Sequence, residues 1–332
     1  MARIIKDFLW NSGMTVEKMV EDFGSVGYQS IELHNASKVI LKMKQSGSKV
    51  FLTFTSNMVT SGLRGFFAQI VRLGMADVIV TTSASIEEDI MKSLGEEFEV
   101  NSFSADDIAL HERGENRVGN IVVRNESYMK FEDKIRMYLN KIYENTPAIN
   151  GQKKVYVSEL IKELGKLVFE DTKDENSIIY QSYKNNVPIF CPGIADSSIG
   201  FHLHLFCQKH PDFFVDVIGD CKNIIFASNY DEKKGLISLG GSISKHYAIF
   251  SGLLNGGFDY VVYLTTAHQS SGSVSGATTK EAISWGKIKD NASAVTVYGD
   301  VTINFPLVMI PVLERLNKDG LLKDKTKLLK KV

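Results

Sequence analysis

A carboxylate, an indole and an amine fall close together at Glu281, Trp285 and Lys287, within the run Thr279 to Ile288. A lysine amine attacks carbonyls or imines only when neutral, and at neutral pH that takes a lowered pKa, usually through desolvation. Trp285 offers an apolar wall and a π face for a bound cation. Glu281 could hold the far ammonium of a polyamine. The same pattern also suits an ordinary surface lysine, and spacing alone leaves both readings open.

Other stretches carry weaker signals. Gly235 to His246 reads as a strand, a Gly240-Gly241 turn and a helix start. Free amides at a helix start attract phosphate, so this is a candidate pyrophosphate cradle, although it is not GxGxxG. The serine and glycine run Ser270 to Ala277 suits either a loop folding over a ligand or a flexible surface loop. Glu87, Glu88 and Asp89 follow a strand end, where they could bind a ribose or a cationic amine, or simply favour a helix's first turn. Asp196 and Asp300 occupy similar places and could accept from ribose hydroxyls. His202 and His204 near Cys207 look superficially like a metal pair, but no nearby carboxylate completes a set, and no metal is expected.

These residues need a scaffold that brings them to one edge. Apolar runs at Val50 to Phe54, Val78 to Thr82, Ile121 to Val123, Pro188 to Phe190, Phe214 to Val217, Leu236 to Leu239, Tyr260 to Leu264 and Val295 to Tyr298 read as strands. Several are apolar in both alternating phases, as in strands covered on both faces. Helix-period stretches at Leu63 to Leu73, Phe131 to Ile142, Val157 to Phe169 and Ser244 to Leu254 fall between them. The alternation predicts an α/β, Rossmann-like, mostly parallel sheet with helices on both faces. Ligands of such sheets bind beyond the carboxyl ends of the strands. Those ends carry small, hydroxylated or glycine residues here, which suit either ordinary turns or close approach to a ligand. Residues 1–45 read as a helical N-terminal arm and 46–332 as the catalytic domain.

Composition narrows the class. The 332 residues are 44% hydrophobic with a formal net charge of -1, so no strong field points to nucleic acid. Lysines at 323, 325, 327, 330 and 331 make the one charge-biased stretch, read as a solvated helix end or a docking element. Cys191, Cys207 and Cys221 form neither a disulfide framework nor a CxxC pair, which favours a reducing compartment. No apolar run approaches the roughly 18 residues of a membrane span. The first residues carry acid and lack an apolar core, so they do not read as a signal peptide. The expectation is a cytoplasmic protein with neither nucleic-acid nor membrane partners.

The run Glu281 to Ile288 resembles the active-site lysine segment of the deoxyhypusine synthase family. Further stretches resemble it in order. Thr55 to Arg64 is similar to the first cofactor loop and Val80 to Asp89 to the second. Asn116 to Asn120, Pro192 to Asp196, Leu239 to His246 and Val297 to Asp300 follow, so that residues 50–310 are spanned. The pattern is nearest to archaeal-type members. The resemblance implies an NAD-dependent aminobutyltransferase with Lys287 as nucleophile. NAD takes a hydride from spermidine, the resulting imine is attacked by the lysine, and diaminopropane leaves. The aminobutyl group then passes to a lysine of the hypusine-bearing translation factor, where the retained hydride reduces the new imine. By position, NAD contacts are implied for Ser56, Asn57, Thr60, Thr82, Ser83, Ala84, Glu88, Asp196, Gly241, Thr266, Ala267, Asp300 and Val301. Amine contacts are implied for Glu87, His246, Gly272, Ser273, Glu281 and Trp285. His246 is also the nearest candidate for proton transfer, with a structural histidine as the other reading. A homotetramer is the family's usual assembly.

The chain departs from the family pattern in places. Ser83-Ala84-Ser85 stands where glycines are common, which reduces backbone room near a cofactor. Phe201, Phe250 and Val274 stand where eukaryotic members carry Asp, Asn and Asp, respectively at 201, 250 and 274. Ser271 replaces a common Asp and Tyr247 a second His. Lost acids weaken recognition of a long trication. Two alternatives follow: a related aminobutyltransferase acting on a small amine, of the homospermidine-forming type, or a non-catalytic NAD-binding partner subunit.

Overall fold

The computed structural model describes residues 4–323, so the lysines at 325, 327, 330 and 331 lie outside the described residues. The chain forms two compact units, one of residues 4–54, 72–80 and 224–323, the other of 55–71 and 81–223.

The first unit is built on five parallel strands. Their order across the sheet is Ile288–Tyr298, Phe258–Thr265, Lys234–Leu239, Lys49–Thr53 and Val78–Val80. Val50, Phe51 and Leu52 are successive residues, point to alternate faces and are all buried. Burial in both phases means that both faces are covered, which is why these segments are apolar throughout. Helices Gln29–Gln45 and Val301–Lys318 pack on each other and on the sheet, and Ser242–Leu254 packs on strands Lys49–Thr53 and Val78–Val80. Two bare glycines permit close packing: a Cβ on Gly235 would overlap Met43, and one on Gly252 would overlap the ring of Phe258. A buried bond from Thr53 Oγ1 to Ser238 Oγ, 2.9 Å, links two neighbouring strands. Val16–Asp22 and Gln29–Gln45 bear out the helical reading of the N-terminal stretch, and both pack on Val301–Lys318.

The second unit is mainly helical. Helices Ser83–Ser93, Asn125–Asn145, Val157–Thr172 and Ser198–Lys209 pack around one another, and Ile178–Asn185 lies along Val157–Thr172. Two runs expected in the parallel sheet are found elsewhere. Ile121–Arg124 is the middle strand of an antiparallel set with Glu99–Val100 and Glu115–Val118. Phe213–Asp216 pairs with Gln152–Tyr156 in a second small sheet. Such short apolar runs declare a strand without declaring its partner. Among the described residues no helix is long and apolar enough to cross a membrane.

Candidate functional site

The candidate residues fall into two groups, one in each unit. In the first unit, helix Thr279–Ser284 carries Glu281 and ends at Trp285. Gly286, at φ 67, then turns the chain so that Lys287 precedes strand Ile288–Tyr298. Lys287 Nζ lies 5.1 Å from the centre of the Trp285 ring. The indole is 65% exposed, so the water exclusion expected of it is not supplied by the atoms of this unit. An exposed cation–π contact of this kind is worth about 0.5–1 kcal/mol. His246 lies one turn into helix Ser242–Leu254. Partial burial, and then the charge of Lys287, hold the imidazole's pKa below its ordinary 6.5. At neutral pH it is therefore an uncharged ring able to accept a proton.

The Gly240-Gly241 turn delivers helix Ser242–Leu254 without a side-chain cap. A Cβ at Gly241 would overlap the Cα of Ser275, so only glycine fits that crossing. The first-turn amides are not all free, as the sequence reading supposed. Ser242 N donates to Ser275 Oγ at 3.0 Å, which leaves Ile243 and Ser244 as the first-turn donors beyond it. Thr266 and Ala267 follow strand Phe258–Thr265, where Ala267 N is turned back onto Thr265 Oγ1. Asp300 caps helix Val301–Lys318 through Oδ1, which accepts from both the amide and the hydroxyl of Thr302, and Val301 is the buried first residue of that helix. Gly272, at φ 68, and Ser273 lie in the exposed serine loop.

In the second unit, Ser56, Asn57 and Thr60 sit on a bend that ends in a wide turn, Val59–Leu63, where Gly62 takes φ 102. Thr82 is the N-cap of helix Ser83–Ser93, and Ser83 and Ala84 form its first turn. Thr82 Oγ1 accepts from Ser56 N, and Ser83 Oγ donates to the carbonyl of Asp196, which itself is exposed. Glu87 is buried with Oε1 accepting from Ile199 N at 2.7 Å, so its carboxylate already serves the start of helix Ser198–Lys209. Phe201 on that helix is exposed.

Three charged residues that the sequence reading did not single out hold this bend. Lys92 Nζ donates to the carbonyls of Val59 and Thr60 at 2.7 and 3.1 Å. Arg64 is buried and pairs with Asp89 and Asp174. The only sequence hint for Lys92 is its place four residues after Glu88, a helical ion-pair spacing.

Glu88 hydrogen-bonds Thr60 Oγ1 at 2.6 Å. Burial, against the opposing bond to Thr60 and charge of Lys92, pushes its pKa from 4.5 to about 7. Glu88 thus stays protonated in the folded state up to a pH where the unfolded chain has already lost that proton. Its contribution to stability is complete below pH 4.5 and is lost as pH rises through about 7. The swing is roughly 3 kcal/mol for a shift of that size. Glu88→Gln should flatten stability across this window, read as denaturation midpoints between pH 4.5 and 7.5 compared with the unaltered protein. An unchanged slope would show that Glu88 is solvated in solution.

For an NAD-sized ligand the residues of the first unit fit in kind. An uncapped helix start beside an obligatory glycine suits a pyrophosphate, and the exposed carboxylate of Asp300 suits a ribose hydroxyl. Comparison with known proteins identifies the family. A family model described as "Deoxyhypusine synthase" matches residues 18–312. A "Probable deoxyhypusine synthase" of Schizosaccharomyces pombe is 36% identical over 310 residues, covering 90% of this chain and 87% of that one. A protein of the same name from Thermoplasma acidophilum is 36% identical over 319 residues, covering 94% and 98%. A crystal structure from Entamoeba histolytica, given the deoxyhypusine synthase name by assignment, shares the fold with a TM-score of 0.64 at 24% identity, over 93% of this chain and 97% of that one.

Proposed function

The chain belongs to the deoxyhypusine synthase family, a family of transferases, and we propose that it moves the aminobutyl group of spermidine to a lysine of the hypusine-bearing translation factor. The observation that carries the reading is the grouping of Lys287, Trp285 and His246, with Glu281 on the helix that leads into it. When bound, NAD supplies the acceptor for the hydride that makes the amine electrophilic, and later returns that hydride to the product. His246 accepts a proton from the Lys287 ammonium. The freed Nζ adds to the imine carbon of the oxidised amine, and the C–N bond to diaminopropane breaks as that amine leaves with a proton. The aminobutyl group is then held as an imine on Lys287 until the acceptor lysine displaces it. Glu281 offers the carboxylate for the far ammonium, and the face of Trp285 takes the cationic chain. A cytoplasmic setting and a homotetramer belong to the same proposal.

Val274 and Phe250 are exposed apolar side chains in the same unit as Lys287. They favour a second reading, in which the acceptor or donor is a smaller amine with fewer charges to satisfy. One experiment separates the two. Purified protein is incubated with NAD and radiolabelled spermidine, with either the translation factor or putrescine as acceptor. Label on the translation factor is the expected result. Label only in homospermidine would establish the small-amine reading, and label in neither would leave the proposal without support.

A further inference from the structure

We propose that Lys245 is a positioning residue of the amine site, tying the serine loop of residues 269–278 to the helix that carries His246. The proposal rests on the amine-transfer reading above. Lys245 is 1% exposed, and its Nζ donates to the carbonyls of Val274 at 2.8 Å and Ala277 at 2.9 Å. The same nitrogen lies 3.9 Å from the centre of the Tyr263 ring. Burial pushes the ammonium down to about 8, against the opposing charge of Glu281.

A buried cation is expensive to keep, and an apolar chain of equal length would fill the space without that penalty. What such a chain would lack is donors for two loop carbonyls. The loop has little else to hold it. Residues 269–271 form one short turn, Gly272 follows at φ 68, and residues 271–274 are exposed. Among the described residues, two further ties meet at Ser275, whose Oγ accepts from Ser242 N and whose carbonyl accepts from Thr265 Oγ1 at 3.3 Å. Lys245 therefore holds the stretch on either side of Ser275 against helix Ser242–Leu254. Its neighbour His246 emerges on the exposed side of that helix. One helical turn thus fixes Gly272, Ser273 and Val274 relative to the proton acceptor for Lys287.

The test uses the full chain with Lys245→Met, a side chain of similar length without donors. Two quantities are read: amide exchange, and KM against kcat for spermidine. Exchange at Gly276 and Ala277, whose amides bond to Ser273 O, should quicken about tenfold, while strands Lys234–Leu239 and Phe258–Thr265 keep their protection. KM for spermidine should rise about tenfold and kcat should change less than about threefold, because the loop positions the amine without touching the reacting bond. Unchanged loop exchange overturns the tether. A loosened loop with an unaltered KM overturns the role in amine binding. If Lys245→Met also exposes the strands, Ser275→Ala decides, since it cuts a second tie of the same loop: a raised KM with protected strands supports the proposal and an unaltered KM overturns it. A wild-type protein that turns over no amine sinks the transfer reading, and this proposal with it, whereas wild-type turnover that both variants share sinks this proposal alone.

Discussion

Lys287→Arg should abolish aminobutyl transfer and leave the fold and cofactor response intact. Arginine keeps the positive charge and can still lie over the Trp285 ring, so the packing at the end of helix Thr279–Ser284 is retained. What it lacks is a neutral amine. A guanidinium stays protonated, and His246, with a pKa held below 6.5, cannot take its proton. Loss of the nucleophile should lower kcat by roughly 10³-fold or more. Borohydride added to the wild-type protein during turnover with NAD and spermidine should fix a butylamine adduct on the peptide containing Lys287, and the variant should yield none. Both proteins should show the same gain in melting temperature on adding NAD, since anything that binds only the folded state stabilises it by mass action. Normal turnover by Lys287→Arg, or an adduct on another lysine, would place the chemistry elsewhere. A wild-type protein that responds to NAD and never forms an adduct with any polyamine would favour the non-catalytic subunit.

The sequence showed the main sheet more clearly than the second unit, for a physical reason. Strands such as Lys49–Thr53 and Phe258–Thr265 lie between covering helices, and their apolar residues run through both phases. Helix Ser83–Ser93 hid its period because much of what it buries is polar: Ser85, Glu87, Glu88 and Asp89 are all inside. An apolar-period search sees an acidic loop there. Helix Val301–Lys318 was obscured by Pro306 and Pro311 within it. Among the candidate site residues, Lys287 and Trp285 were singled out through their spacing and the family resemblance, and the structure sets the amine over the indole. Lys245 and Lys92 were not, because nothing in a single sequence marks a lysine as buried. The available hint for Lys245 was its position three and four residues before Ala248 and Ile249, which share its buried helix face.

Asp89→Ala should be the most damaging single change to stability in the second unit. Asp89 is fully buried on helix Ser83–Ser93. Its Oδ1 accepts from Arg64 Nε, while Oδ2 accepts from Ser177 Oγ and from Ile179 N, each at 2.9 Å. Ser177 is in turn the N-cap of helix Ile178–Asn185, so one carboxylate serves a buried guanidinium and the start of a helix. Removing it strands both. Asp174 still reaches Arg64, but with one carboxylate gone the guanidinium is under-compensated in a buried site. Breaking such a pair from one side costs about 3–5 kcal/mol. At roughly 2–4 °C per kcal/mol for a unit of this size, the melting temperature should fall by about 10 °C. Replacing both partners, as Arg64→Met with Asp89→Leu, should recover part of the loss, because the buried guanidinium is gone and Asp174, which loses its cation, is part-exposed and keeps Ser93 Oγ as a donor. The recovery separates electrostatic stranding from lost packing: if the double variant melts as low as Asp89→Ala, the loss lies in the Ser177 and Ile179 contacts. Function should not recover with stability. Arg64 directly follows the turn Val59–Leu63, and Ser56, Asn57 and Thr60 depend on that bend for their placement. The double variant should therefore fold and still show a weaker NAD response than wild type. A full NAD response would mean that Lys92, through the carbonyls of Val59 and Thr60, holds the bend without Arg64.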